Sequence, residues 1–164
     1  MEAVAEYRIE HDLLGNREVP KSAYYGVQTV RALENFKVSN IAISHYPELI
    51  RALGYIKKAC ALANLECKTM EKSVADAIAK ASDEVIAGKL DDQFPVDSIQ
   101  GGAGTSTNMN ANEVIANRAL ELIGKEKGDY KFIHPNNHVN MSQSTNDVYP
   151  TSLRLATAWM LDQL

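Results

Sequence analysis

Four stretches of this chain repeat apolar residues at the spacing of a helix face, and the residues beside them are ones that start or stop helices. After Pro47, the residues Leu49, Ile50, Leu53, Ile56, Cys60 and Ala63 recur at steps of one, three and four. Pro47 suits a first helical position, where no backbone N–H is needed. Thr69 is a candidate cap for a second helix with Val74, Ala77, Ile78, Ala81, Val85 and Ile86 on its face, and Gly88 is its stop. A third begins near Asn108 to Ala111 and carries Val114, Ile115, Ala119, Leu122 and Ile123, with Gly124 following. Glu113 falls in its first turn, where a negative charge meets the positive end of the peptide dipole. The fourth opens around Pro150 and continues through Leu153, Ala156, Met160 and Leu164. Leu155, Trp159 and Leu161 widen that stripe, which predicts burial on several sides. No stop residue follows, so the chain is expected to be the front part of a longer protein.

The remaining segments are shorter. Arg8 to Val19 sets β-branched and apolar residues around Gly15-Asn16, a turn signal, and predicts a hairpin or paired extended segments. Ser22 is a candidate cap for a helix to about Asn35, with Tyr25, Val30 and Leu33 partly buried. Asp91 to Gln100 and Lys125 to Ser144 are polar and contain proline, so both are expected to be loops. Pro135 restricts His134 to extended backbone. The fold class is therefore mainly α, with a short extended or hairpin segment at the start.

Composition bounds the function. A chain of 164 residues fits one domain of ordinary size, and 45% hydrophobic residues suffice for a core. A net charge of −4 with no lysine or arginine cluster argues against nucleic acid. The charges between Tyr7 and Arg31 are mixed in sign, as on a solvated surface. Met1 to Glu6 has neither a basic lead nor an apolar block, and runs such as Ala59 to Ala63 are too short for a bilayer. A soluble cytoplasmic protein without a membrane partner is expected. Cys60 and Cys67 are seven residues apart; on one helix that is about 10 Å, too far for a disulfide. Their spacing fits no zinc pattern, so both are read as core or boundary thiols.

Two polar segments carry the chemistry. Gly101-Gly-Ala-Gly-Thr-Ser-Thr-Asn-Met-Asn110 and Ser142-Gln-Ser-Thr-Asn-Asp147 each precede a helical pattern, and neither contains a lysine or arginine. A helix start offers free backbone N–H groups and positive potential, so neutral hydroxyls and amides around it form a cradle for a carboxylate. A pair of cradles separated by a histidine loop points to a substrate with negative ends. The plainer alternative is a flexible turn in which Thr105, Ser106 or Asn108 caps a helix, and an ordinary lead-in at Ser144 to Asp147. Three near-adjacent glycines, though, imply unusual backbone angles or close approach of a ligand. The loop lacks the Gly-Lys-Ser/Thr of nucleoside-triphosphate loops and the third glycine of the dinucleotide fingerprint. His134 and His138 are four apart, but Pro135 breaks the helix a zinc pair would need, so a hydrogen-bonded loop histidine is expected and no metal site. No carboxylate pair stands apart from the surface charge.

Together, Gly101 to Glu113, His134-Pro-Asn136 and Ser142 to Asp147 resemble the aspartase/fumarase superfamily, as do Arg8 to Gly15 and Ala23 to Thr29, along nearly the whole chain and in the family's order. Ser144-Thr145-Asn146 resembles the aspartate ammonia-lyase branch; fumarases more often show Ser-Ser-Asn. The resemblance implies an L-aspartase-like N-terminal domain over residues 1–141 and, over 142–164, the truncated start of a long helix in a central bundle. It implies a carbon–nitrogen lyase that converts L-aspartate reversibly to fumarate and ammonia through an aci-carboxylate, without a cofactor, in a homotetramer whose sites combine several subunits. By matching, Thr105, Ser144 and Thr145 would hold the β-carboxylate and Asn146 would orient the amino group. Ser106, Asn108, His134 and Asn136 are further substrate-contact candidates. Asn137 stands where fumarases usually carry aspartate, so a second anion site at the histidine loop is not expected and the loop is read as structural. The family's base, a serine in a Gly-Ser-Ser loop, does not occur here, so the isolated chain is expected to be inactive. The alternatives are a fumarate hydratase of the same superfamily, or, for the isolated chain, a non-enzymatic anion-binding or assembly module.

Overall fold

A computed structural model describes residues 6–162. The chain opens with an antiparallel hairpin, β1 (Tyr7–Asp12) and β2 (Gly15–Pro20), in register from Tyr7 opposite Pro20 to Asp12 opposite Gly15. The turn falls on Leu13 and Leu14, not on Gly15-Asn16. Asp12 closes it by accepting from the Leu14 N–H at 2.9 Å, and Gly15 enters β2 at φ +107°, an angle that only glycine adopts without strain.

Glu18 and Lys21 are exposed as expected, but Arg8, Glu10, Asp12 and Arg31 are not part of a solvated surface. Alternation along β1 puts Arg8, Glu10 and Asp12 on one face, which turns onto the following segment. Arg8 donates to the carbonyls of Pro20, Ala23 and Tyr25 at 2.7–2.8 Å and to Glu10 at 2.8 Å. Arg31 grips Asp12 through both carboxylate oxygens at 2.6 and 2.7 Å. These pairs fasten the hairpin to α1 (Val27–Asn35); Val30 and Leu33 in it and Tyr25 just before it are half-buried as expected. The residue at the α1 N-cap position is Gly26, not Ser22.

A 3₁₀ turn at Ile43–His45 leads into α2 (Pro47–Glu66), which packs on α3 (Lys72–Ile86). Gly54 lets the two backbones approach: a Cβ there would lie 2.9 Å from Ile86 Cγ1 and 3.2 Å from the Ile86 nitrogen. Thr69 does not cap α3; its N–H and hydroxyl close the end of α2 on the Asn64 carbonyl at 2.9 and 3.0 Å. Gly88 and Gly124 end their helices at φ +73°, as the sequence predicts. Both cysteines are free; Cys60 is half-buried, and Cys67, read as a core or boundary thiol, is exposed at the end of α2.

The centre of the core is α4 (Thr105–Leu122), which starts a turn earlier than the apolar stripe predicts. Its buried residues include Thr107, Asn108, Asn110, Asn112, Glu113 and Asn117, so its first half is buried without being apolar. Distant partners take up the amide nitrogens: Asn110 donates to the Gln93 carbonyl at 2.9 Å, and Asn117 to the Tyr24 carbonyl at 2.7 Å, while the side-chain oxygens of Asn110 and Asn112 are buried without a protein partner among the described residues. The connection to the last helix holds one π turn at Pro135–Val139. Finally α5 (Thr145–Leu161) carries Pro150 inside the helix rather than at its start. One α5 face, Val148, Ser152 and Ala156, is buried, while Leu153, Met160 and Leu161 are 41–62% exposed, so burial on several sides does not occur within residues 6–162. Trp159 stacks edge-on to Tyr55 of α2 at 5.5 Å, with Arg51 over its ring at 4.8 Å. Leu164 lies outside the described residues. Among the described residues no helix is long and apolar enough to cross a membrane.

Candidate active site

The starts of α4 and α5 lie side by side, and two contacts hold them there. Gly104, at φ +80°, lies against the ring of Tyr149, one turn into α5, where any Cβ would collide. Asn108, one turn into α4, donates through Nδ2 to the Thr145 hydroxyl at 3.0 Å. Thr105 and Thr145 therefore open neighbouring helices. Thr105, Ser144 and Asn146 are exposed; Ser106 and Thr145 are half-buried.

None of Thr105, Ser106 and Asn108 caps α4. The cap oxygen comes from Gln100, whose Oε1 accepts from the Thr107 N–H at 3.0 Å while its Nε2 donates to the Thr107 hydroxyl at 2.6 Å. That clasp closes the glycine loop and leaves the Thr105 and Ser106 hydroxyls unused by the helix. Ser144 does cap α5, accepting from the Asn146 N–H at 3.2 Å, which leaves its own hydroxyl hydrogen free to donate outward.

Behind these residues sits a group that the motifs do not include. Lys57 of α2 is fully buried, and its ammonium donates to Asn108 Oδ1 at 2.7 Å, Asn140 Oδ1 at 3.0 Å and Gln143 Oε1 at 2.8 Å. Burial pulls its pKa down to about 7, and the three oxygen acceptors around it favour the protonated form. Asn108 is itself buried, and its amide is engaged by Lys57, Asn140 and Thr145, so it supports the surface from within. A signal for Lys57 exists in the sequence: it falls on the stripe of α2, four residues after Leu53 and four before Ala61.

The histidine loop belongs to a neighbouring cavity of about 550 Å³, lined by His134 and Asn136 with His11, Gln28, Met109 and Glu113. His134 Nδ1 accepts from the N–H groups of Asn136 and Asn137 at 3.0 and 3.3 Å, and His138 Nδ1 accepts from the His134 N–H at 2.8 Å. Burial lowers both histidine pKa values, which favours neutral rings. The His134 ring thus occupies the N–H groups that an anion at this turn would need. Among the described residues, no three of histidine, cysteine, aspartate and glutamate are grouped to hold a metal ion.

A buried carboxylate pair is present after all. Glu113, on the third turn of α4, does not serve its own helix start; it accepts from the N–H groups of Gly26, Gln28 and Thr29 at 2.7–3.0 Å. Glu10 accepts from the Val27 N–H at 2.9 Å and from the Tyr130 hydroxyl at 3.0 Å. The start of α1 is therefore capped by two carboxylates from distant segments. Burial, with Glu10 nearby, pushes the Glu113 pKa up to about 7. Gly26 is required between them, since a Cβ would lie 2.5 Å from Glu10 Oε2 and 2.7 Å from the Tyr130 oxygen.

The family model described as lyase matches residues 15–164, so the chain belongs to that family. Its relatives include aspartate ammonia-lyases. That of a Bacillus species is 62% identical over 159 residues, covering 97% of this chain and 34% of that protein. That of Escherichia coli K12 is 61% identical over 150 residues, covering 91% and 31%. A crystal structure described as fumarate lyase:delta crystallin from Brucella melitensis superposes with a TM-score of 0.93 at 56% identity, over 95% of this chain and 35% of that one. A class II fumarase from Schistosoma mansoni gives 0.86 at 40% identity, over 93% and 32%. The chain spans about a third of the length of the curated relatives it matches.

Proposed function

We propose that this chain contributes part of the active site of an aspartate ammonia-lyase, which eliminates ammonia from L-aspartate to give fumarate. The observation that carries this reading is the junction of the two helix starts through Asn108 and Thr145, which supports Thr105, Ser144, Thr145 and Asn146 as one group of uncharged donors. The identity to aspartate ammonia-lyases over nearly the whole chain supports the same assignment.

Loss of the C3 proton to a base outside this chain leaves a carbanion whose charge spreads into the β-carboxylate. The carboxylate becomes an aci-dianion, and ammonia then leaves C2. Donors fixed before the reaction, and stronger toward the dianion than toward the substrate, lower the barrier. Thr105, Ser144 and Thr145 fill that role without giving up a proton to the anion, and Asn146 orients the amino group. The chemistry asks for no cofactor. His134 and Asn136 hold the neighbouring loop in shape. In the same proposal the enzyme is a cytoplasmic homotetramer that works on a small dicarboxylate, and residues 142–164 open its second domain.

In the full-length enzyme, Thr105→Val and Asn146→Ala each lower kcat on the order of 10²–10³-fold, read by the ultraviolet absorbance of fumarate. An unchanged kcat in a folded variant removes that residue from the mechanism. The isolated 164-residue chain produces no fumarate. Fumarate hydration is a second reading, favoured by the likeness to a class II fumarase, and side-by-side assays on aspartate and malate separate the two.

A further inference from the structure

Lys57 is a buried ionisable group, next to the helix starts, that this mechanism leaves without a role. A lysine ammonium carries three hydrogens and no lone pair. All three are taken by side-chain amide oxygens, those of Asn108, Asn140 and Gln143. Among the described residues it forms no ion pair with a carboxylate. A buried cation without a counter-charge is costly, and here only amide oxygens offset its lost hydration. What the ammonium achieves that an apolar chain does not is direction. It fixes which end of each amide faces it.

We propose that Lys57 is a positioning residue for the substrate site: by holding Asn108 Oδ1 it turns Asn108 Nδ2 onto Thr145, so that the Thr145 hydroxyl can only accept from the protein and must donate outward to the substrate carboxylate. The inference rests on the ammonia-lyase reading of the site. Each step follows from the one before. With Oδ1 on Lys57 at 2.7 Å, the nitrogen of Asn108 is the atom left for Thr145, at 3.0 Å. An amide nitrogen donates only, so the Thr145 oxygen is the acceptor and its single hydrogen points elsewhere. Asn140 guards the arrangement against a flip, because its Oδ1 accepts from Lys57, from Asn108 Nδ2 at 3.1 Å and from Asn112 Nδ2 at 3.2 Å. A flipped Asn108 would set its oxygen against Asn140 and its nitrogen against the ammonium.

The test is a double-mutant cycle in the full-length enzyme. Asn108→Asp keeps an oxygen for Lys57 but replaces the N–H that faces Thr145 with a second oxygen, which draws the Thr145 hydrogen inward. Thr145→Val removes the hydroxyl. Succinate affinity by calorimetry and kcat on aspartate are read for both single variants and the double. Asn108→Asp is expected to weaken succinate about tenfold and to lower kcat by at least as much. In the Thr145→Val background it is expected to add little further loss, because the hydroxyl it misdirects is already gone. Lys57→Met is expected to behave in the same way; should it fail to assemble, Asn108→Asp carries the test, since it retains the ammonium's partner. If Asn108→Asp binds and turns over like the parent while Thr145→Val loses both, the positioning role falls and the site stands. Fully additive losses also overturn it, since they mark a general effect of the added charge. If Thr145→Val is without effect, the site assignment itself fails.

Discussion

The α1 start offers a test of the buried electrostatics that is independent of catalysis. Glu113 accepts three backbone N–H groups, yet it lies in the core beside Glu10, and its pKa rises from 4.5 to about 7. Burial outweighs the hydrogen bonds. The sign follows from linkage: a carboxyl whose folded pKa is raised contributes stability that is complete below its unfolded value and is lost as pH climbs through the folded value. Glu113 thus favours the fold most below pH 4.5 and loses that contribution by pH 7. The span corresponds to on the order of 3 kcal/mol. Glu113→Gln removes the titration and adds a constant cost. One amide end must be NH₂, which meets a backbone N–H instead of accepting from it, at about 1–3 kcal/mol. Urea unfolding of parent and variant across this pH range gives two curves. The parent is expected to lose stability relative to the variant as pH rises, and the curves converge toward neutral pH. Parallel curves, or a parent that gains on the variant with rising pH, would refute the claim that burial and Glu10 outweigh the N–H donors.

The elements whose partners are close in sequence were legible, and those whose partners are distant were not. The stripes of α2 and α3 and the glycines that end α3 and α4 follow from spacing alone. The start of α4 lies ahead of the apolar stripe because its first turns bury asparagines, and a buried amide reads as a loop until its partner is known. Pro150 suits a first helical position, yet it lies inside α5, because Ser144 supplies the capping oxygen about one turn and a half earlier. The hydroxyl residues of the site were legible as a motif, since each lies near a helix start. Glu10 and Glu113 were not, and Lys57 is marked only as a charge on the apolar stripe of α2. Lys57 meets Asn140 across 83 residues, and Glu113 meets Gly26 across 87, so no local pattern names the partner of either. Likewise the charges of the opening hairpin turn inward because groups beyond it receive them: Arg31 holds Asp12, and the carbonyls of Ala23 and Tyr25 accept from Arg8.

Two further perturbations probe the chain's surface and its helix junction. Cys67, exposed at the end of α2, is expected to react with an aromatic disulfide reagent well before Cys60, whose thiol pKa is raised by burial; equal rates on mass-spectrometric mapping would contradict the burial of Cys60. At Gly104 two constraints coincide. Its φ of +80° disfavours any L side chain, and the ring of Tyr149 occupies the place of a Cβ. The backbone penalty alone is about 1–2 kcal/mol, and the collision must push α5 away from α4 at the point where Asn108 reaches Thr145. Gly104→Ala in the full-length enzyme is therefore expected to lose kcat as well as stability, and Tyr149→Ala in the same chain should restore part of the activity by relieving the collision while leaving the backbone cost. If the double variant is no better than Gly104→Ala alone, the ring contact is not what holds the two helix starts in register, and the glycine serves its backbone angle only.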